Sequence, residues 1–217
     1  ELIAGAGRSF RGLNLPRLRD LGPLLTMWAL SLMLLIFQRD LGSSLLFFGI
    51  FLAVLYVATA RVSFVAVGIV LFILGAVFTF FLFGHVQERV DTWLDPLNPE
   101  TIQDESYQIA QSLFAFAEGG LSGTGLARGY PDIIPFVETD FIYASIGEEL
   151  GLFGAVAIVL LYLIFIARGL YLALRSEDDF GKLLAVGLTT IIALQSFIIM
   201  GGDTRLVPLT GITLPFV

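Results

Sequence analysis

Cysteine is absent from the 217 residues and histidine occurs once, at His85. The first absence removes disulfide frameworks and thiolate metal sites. The second leaves no pair of histidines to set a metal-ligand spacing. Charge is scarce as well: Asp, Glu, Lys and Arg make up 14% of the chain, against roughly 25% in ordinary soluble domains. A net charge of −7 gives nucleic acid no electrostatic footprint. Any chemistry must therefore come from carboxylates, amides, hydroxyls and arginines.

What is abundant is apolar. Hydrophobic residues make up 57% of the chain, with 20 phenylalanines, and they fall in runs long enough to cross a bilayer, which needs about 20 residues of helix. Leu21–Phe37, Leu41–Ala60 and Val62–Gly84 read as three spans, Phe141–Ala167 as a fourth and Leu183–Met200 as a fifth. The fold class expected is an all-α polytopic integral membrane protein, a single membrane domain over 1–217. Glu1–Asp20 carries Arg8, Arg11, Arg17 and Arg19 without a long apolar core, so it does not read as a secretory signal. The opening at Glu1 and the apolar ending at Leu214–Val217 suggest a piece of a longer chain. Gly201–Val217 reads as a re-entrant or interfacial segment.

Between the third and fourth spans, residues 85–140 hold ten acids against two arginines, Arg89 and Arg128. A loop of this length is expected to be functional or to carry structure of its own. Asn98 and Pro99 suit a helix N-cap and first turn, Tyr107, Ala110, Phe114 and Ala117 follow at helical spacing, and Gly119 and Gly120 stop the helix. If the opening segment is cytoplasmic, eight of the twelve basic residues fall inside and four (Arg39, Arg89, Arg128, Arg205) outside. That arrangement fits the positive-inside rule and puts the acidic loop outside.

Two adjacent glutamates, Glu148 and Glu149, interrupt the fourth span. An acid within a membrane segment is a functional-site hypothesis by default, since it costs about 2.5–3.5 kcal/mol on insertion scales. The pair suits either a buried brace to a neighbouring helix or a proton or ion path. Gly147, Gly151 and Gly154 on the same segment would allow close helix contact. Asp140, just ahead of that span, suits a helix N-cap and equally a general base toward a hydroxyl. Gly119, Gly120, Gly123, Gly125 and Gly129 follow neither a dinucleotide fingerprint nor a P-loop, and so suit a turn or a backbone approach to phosphate. Arg89 and Arg128 suit pyrophosphate oxygens or salt bridges to Glu88 and Asp132. Acid-rich loops can hold a hard divalent cation, magnesium or manganese, through oxygen. Arg39 and Asp40 form an interfacial pair or a ligand site.

The ordered set Gln38-Arg39-Asp40-Leu41-Gly42-Ser43, Arg89 through Asp95-Pro96, Tyr107-Gln108, Gln111-Ser112, Gly119-Gly120-Leu121-Ser122-Gly123-Thr124-Gly125, Thr139-Asp140-Phe141-Ile142-Tyr143-Ala144, Gly147-Glu148-Glu149-Leu150-Gly151 and Pro208-Leu209-Thr210-Gly211 strongly resembles the SEDS family of RodA, FtsW and SpoVE. The resemblance implies a bundle of about ten spans, of which this chain holds about five. It implies polymerisation of lipid II into glycan strands at the outer face of the bacterial cytoplasmic membrane, with Asp140 as the essential acid. Arg89, Arg128, Gln108, Gly120, Gly123 and Gly125 are then the candidates for binding substrate, and Glu148, Glu149 and Asp40 for supporting the site. A class B penicillin-binding transpeptidase is the implied partner, and Glu138 stands where family members often carry histidine. A flippase for lipid II or another polyprenyl-linked sugar, with Glu148 and Glu149 along the path, is the rival reading. A non-catalytic scaffold is the third.

Overall fold

The computed structural model describes residues 8–10, 13–15, 22–38, 41–104 and 106–216. Asp40, proposed above as a supporting acid, lies outside them, as does Arg39. Apart from a short antiparallel hairpin, β1 (Arg8–Phe10) and β2 (Leu13–Leu15) with Arg8 opposite Leu15, the regular elements are helical. Among the described residues they are α1 (Gly22–Gln38), α2 (Leu41–Thr59), α3 (Val62–Leu82), α4 (Gly84–Leu94), α5 (Tyr107–Gly119), a 3-10 turn at Pro131–Ile133, α6 (Ile142–Arg175) and α7 (Asp179–Asp203).

Among the described residues four helices are long and apolar enough to cross a membrane: α2 from Gly42, α3, α6 and α7. Of the five spans expected, α1 is the exception, with 17 residues, or roughly 25 Å at 1.5 Å per residue. The chain divides into two compact units, Glu1–Leu82 with Arg168–Ile191, and Phe83–Ala167 with Ile192–Val217.

In the first unit Leu24, Phe48, Leu55 and Phe64 form a core to which Trp28, Leu52 and Leu71 add. Trp28 donates its indole N–H to the Leu71 carbonyl at 2.8 Å, so α1 and α3 are tied by the polar tip of an otherwise apolar ring. Phe81, Ile73 and Leu74 on α3 are exposed. A helix that is apolar on its outward face as well is suited to lipid.

The second unit holds the loop and everything argued below. Phe83 is extended (φ −126°, ψ 116°) and separates α3 from α4. Asp95 then ends α4 ahead of Pro96, as the steric restriction on a residue before proline requires. The predicted helix start at Asn98-Pro99 is displaced: turns run through Asp104 and α5 begins at Tyr107. Asn98 uses its side-chain oxygen to accept the Glu100 N–H at 3.0 Å, an Asx turn that competes with capping. Ala115, Ile134, Phe141 and Ala144 form one core cluster here, and Tyr162, Ile199 and Leu214 another. The second seats the chain's last residues, with Tyr162 donating to the Pro215 carbonyl and Gln195 to Thr213 at 2.8 Å.

Candidate active site at the head of helix α6

Asp140 sits in a turn between exposed Thr139 and Phe141, which is fully buried. Burial of the phenyl ring holds the preceding residue at the rim of the unit, and Asp140 is half-buried. Its N–H donates to the Phe136 carbonyl at 3.0 Å. The first helical bonds of α6 go from Ala144 and Ser145 to the Phe141 carbonyl, so Phe141 occupies the N-cap position. The capping reading of Asp140 is therefore corrected: its carboxylate makes no hydrogen bond or ion pair among the described residues. One carboxylate oxygen lies 3.6 Å from the position a Cβ would take on Gly211. The result is an uncommitted acid beside the positive end of a helix.

Asp203, the last residue of α7, is the group that sequence reasoning missed. It is fully buried, and neither carboxylate oxygen makes a hydrogen bond of ordinary geometry. The Asp140 charge and the Ala144 N–H both act on it, but that N–H already donates to Phe141 at 3.0 Å. Its own carbonyl accepts from Ser112 Oγ at 2.9 Å, joining α5 to α7. The signal was present in weaker form: Asp203 adjoins an apolar run, whereas Glu148 was singled out for lying within one. Ending the fifth span at Met200 made Asp203 look interfacial.

The glycine-rich loop and the two glutamates form one construction. At Gly151, α6 is not helical (φ 67°, ψ −167°), which strands the carbonyls of Glu148 and Glu149 and the N–H groups of Leu152 and Phe153. The loop after α5 takes their place. Thr124 and Gly125 donate to the Glu148 and Glu149 carbonyls, both at 3.0 Å, while Leu152 and Phe153 donate to Gly120 and Leu121 at 2.9 and 3.3 Å. Non-helical backbone at membrane depth persists only where protein or water satisfies it, and here the loop does so bond for bond. Such close approach needs glycine at Gly123 (φ 79°) and Gly151, where a Cβ would run into Glu149 and Gly123 backbone respectively.

The amides of Gly120, Gly123 and Gly125 are consequently occupied, donating to Phe116, Gly119 and Glu149. They leave no free backbone cradle for phosphate at these three positions. The expected brace from the glutamates to a neighbouring helix is replaced by a brace to this loop. Glu148, 3% exposed, accepts the Tyr130 N–H at 2.7 Å, and Glu149 accepts the Ala127 N–H at 3.1 Å.

Arg89, half-buried on α4, donates to the Leu209 carbonyl at 2.8 Å. Arg205 donates to the Trp93 carbonyl at 2.8 Å and to that of Leu94, and the Trp93 indole returns a bond to Arg205 O at 3.1 Å. Two arginines thus tie α4 to the segment after α7. Arg128 is exposed, and the salt bridges to Glu88 or Asp132 do not form among the described residues. Gln108 is half-buried on α5. No group of three or more histidines or acids that could hold a metal occurs among the described residues. Asp140 and Asp203 are near enough for the charge of one to act on the other.

Long apolar helices, one of them broken and repaired by a loop, with an uncommitted acid at its head, define a polytopic membrane protein with a polar site at the head of that one span. The chain belongs to the FtsW/RodA/SpoVE family, whose model, described as cell cycle protein, matches residues 8–217. It is 52% identical over 216 residues to the peptidoglycan glycosyltransferase RodA of Mycobacterium tuberculosis, covering 99% of this chain and 45% of that one. With the RodA of Mycobacterium leprae it shares 50% over 216 residues, covering all of this chain and 46% of that one. With a probable peptidoglycan glycosyltransferase FtsW of Geobacter metallireducens it shares 38% over 198 residues, 90% of this chain and 52% of that one. The chain spans about half the length of the curated relatives it matches. A solved structure described as "Structural coordination of polymerization and crosslinking by a peptidoglycan synthase complex" superposes with a TM-score of 0.69 at 26% identity, over 92% of this chain and 55% of that one.

Proposed function

We infer that the protein of which this chain is part polymerises lipid II into glycan strands, with the acidic loop on the outer face of the bacterial cytoplasmic membrane. The observation that carries the reading is the uncommitted, half-buried carboxylate of Asp140 at the N-terminal end of α6, in a family whose matched relatives are named peptidoglycan glycosyltransferases. An acceptor sugar hydroxyl passes its proton to Asp140 as its oxygen attacks the anomeric carbon of the lipid-linked donor. The bond from that carbon to the pyrophosphate breaks, and the pyrophosphate leaves on the lipid. The exposed Arg128 guanidinium offsets charge on the departing phosphates. A divalent cation, if bound, would be held by Asp140 and Asp203 and would supply the same charge compensation. Glu148 and Glu149 act at a distance by holding residues 127–130 against α6.

The partner proposed is a class B transpeptidase, in line with the synthase complex named for the structural relative. In the flippase reading Glu148 and Glu149 would carry protons along a path, yet their carboxylates are bonded to loop amides. The test is the purified full-length protein with its transpeptidase, supplied with lipid II, assayed for glycan strands and, in sealed vesicles, for lipid II crossing the bilayer. Polymer formation without crossing is expected. Crossing without polymer would overturn the reading.

A further inference from the structure

The four backbone bonds between the glycine-rich loop and the break in α6 also fix how far along the span that loop lies. Gly151 is the tenth residue of α6, and the 16 residues from Leu152 to Ala167, ahead of Arg168, reach roughly 24 Å at 1.5 Å each, less than a hydrocarbon core of about 30 Å. With Arg168 at the far interface, the membrane boundary on the loop's side therefore falls at or before Leu152 and Phe153. Both are exposed, Phe153 by 71%, and so are Val156 and Leu160 one and two turns further on. Apolar side chains exposed at this depth suit acyl chains.

Leu121 is held at that level, since its carbonyl accepts the Phe153 N–H at 3.3 Å, and it is 64% exposed. The apolar surface continues along the same loop through Leu126 and Phe136, each 72% exposed, with Tyr130 between them. Burying one such side chain is worth about 1.5–3 kcal/mol, so three of them left in water would be a standing cost. Four of the loop's backbone amides are already bonded, those of Thr124 and Gly125 to α6 and those of Ala127 and Tyr130 to the glutamates, while the charged Arg128 and Asp132 between Leu126 and Phe136 are exposed and must reach the headgroups.

We propose that this loop is seated in the leaflet on its own side, with Leu121 and Leu126 among the acyl chains and Phe136 at the interface, so that bilayer lipid covers its apolar face. Lipid is the occupant because the loop surface continues the lipid-facing surface of α6 through a backbone hydrogen bond at the same depth. The proposal rests on α6 crossing the membrane and is independent of the catalytic reading. A consequence is that Asp140, whose N–H donates to the Phe136 carbonyl, adjoins a residue seated at the lipid interface.

Single cysteines introduced as Leu121→Cys, Leu126→Cys, Phe153→Cys and Glu100→Cys in a cysteine-free version of the full-length protein, spin-labelled and reconstituted alone into phosphatidylglycerol-containing vesicles, test this directly. Power-saturation EPR compares each label's accessibility to oxygen, which concentrates in lipid, and to a water-soluble nickel chelate. The Leu121 and Leu126 labels are expected to match Phe153→Cys, with an oxygen-to-nickel ratio several-fold above that of Glu100→Cys. A ratio at Leu121 and Leu126 equal to that of Glu100→Cys would place the loop in water and overturn the proposal. Shielding from both reagents would also overturn it, by showing that protein covers the face.

Discussion

Tyr130 donates its backbone N–H to Glu148 Oε1 at 2.7 Å, so the most buried acid of the fourth span is spent on holding a loop. Losing that acceptor leaves a donor without its partner, which costs about 1–3 kcal/mol. Glu148→Ala is accordingly expected to lower thermal stability in detergent by that amount. Glu148→Gln, whose amide oxygen can still accept, should cost less than half as much. Glu149→Ala should be the milder of the two alanine changes, because Glu149 is half-buried. Equal effects of Glu148→Ala and Glu148→Gln would show that charge, and not the hydrogen bond, is what the site uses.

Gly123→Ala and Gly151→Ala each ask an L side chain to adopt positive φ, at 79° and 67°, and to occupy space taken by backbone. The conformational part alone costs about 1–3 kcal/mol, and backbone movement adds to it. Both should destabilise strongly and expose the loop to limited proteolysis. Gly84→Ala, where no atom lies within 4 Å of the added Cβ, is the control and should change stability by no more than about 0.5 kcal/mol. Similar behaviour of all three would contradict the loop-in-break arrangement.

Asp203 is buried with neither carboxyl oxygen in a hydrogen bond, so no partner is lost when an amide of the same size replaces the carboxyl. Asp203→Asn in the full-length protein should leave the melting temperature unchanged or raise it, by the equivalent of about 1–3 kcal/mol. A clear drop in melting temperature would mean that the carboxylate has a partner, a cation included, that stabilises the folded protein.

Arg205 exchanges three hydrogen bonds with Trp93 and Leu94. Arg205→Lys retains the charge but not the planar fork that reaches two carbonyls. It should behave nearly like Arg205→Ala, each costing about 1 kcal/mol by thermal unfolding. Full stability in the lysine variant would show that charge near the C-terminal end of α4 is what matters.

The spans were legible because an uninterrupted apolar run of bilayer length has few other uses, and α2, α3 and α7 follow the runs closely, while α6 continues as helix past the run's end at Ala167 to Arg175. The position of Asp140 ahead of the fourth span was legible for the same reason. The break at Gly151 was not. Gly147, Gly151 and Gly154 carry the spacing of helix-contact glycines, and whether one of them adopts positive φ depends on the loop that arrives from 30 residues upstream. Asn98 illustrates a second limit, because one side-chain oxygen serves a cap and an Asx turn equally well. Asp203 was hidden by where the fifth span was ended, so that a buried acid passed for a surface one.

The most direct test of the account is polymerisation of lipid II by the full-length protein with its transpeptidase partner, comparing wild type with Asp140→Asn. Asparagine keeps the size and leaves the Phe141 cap and the Phe136 carbonyl bond untouched, so it isolates the carboxylate's charge. Loss of general-base assistance should slow strand formation by about 10²–10⁴-fold, with an unchanged melting temperature. Strand formation at the wild-type rate by a folded Asp140→Asn protein would contradict the assignment of Asp140 as the base.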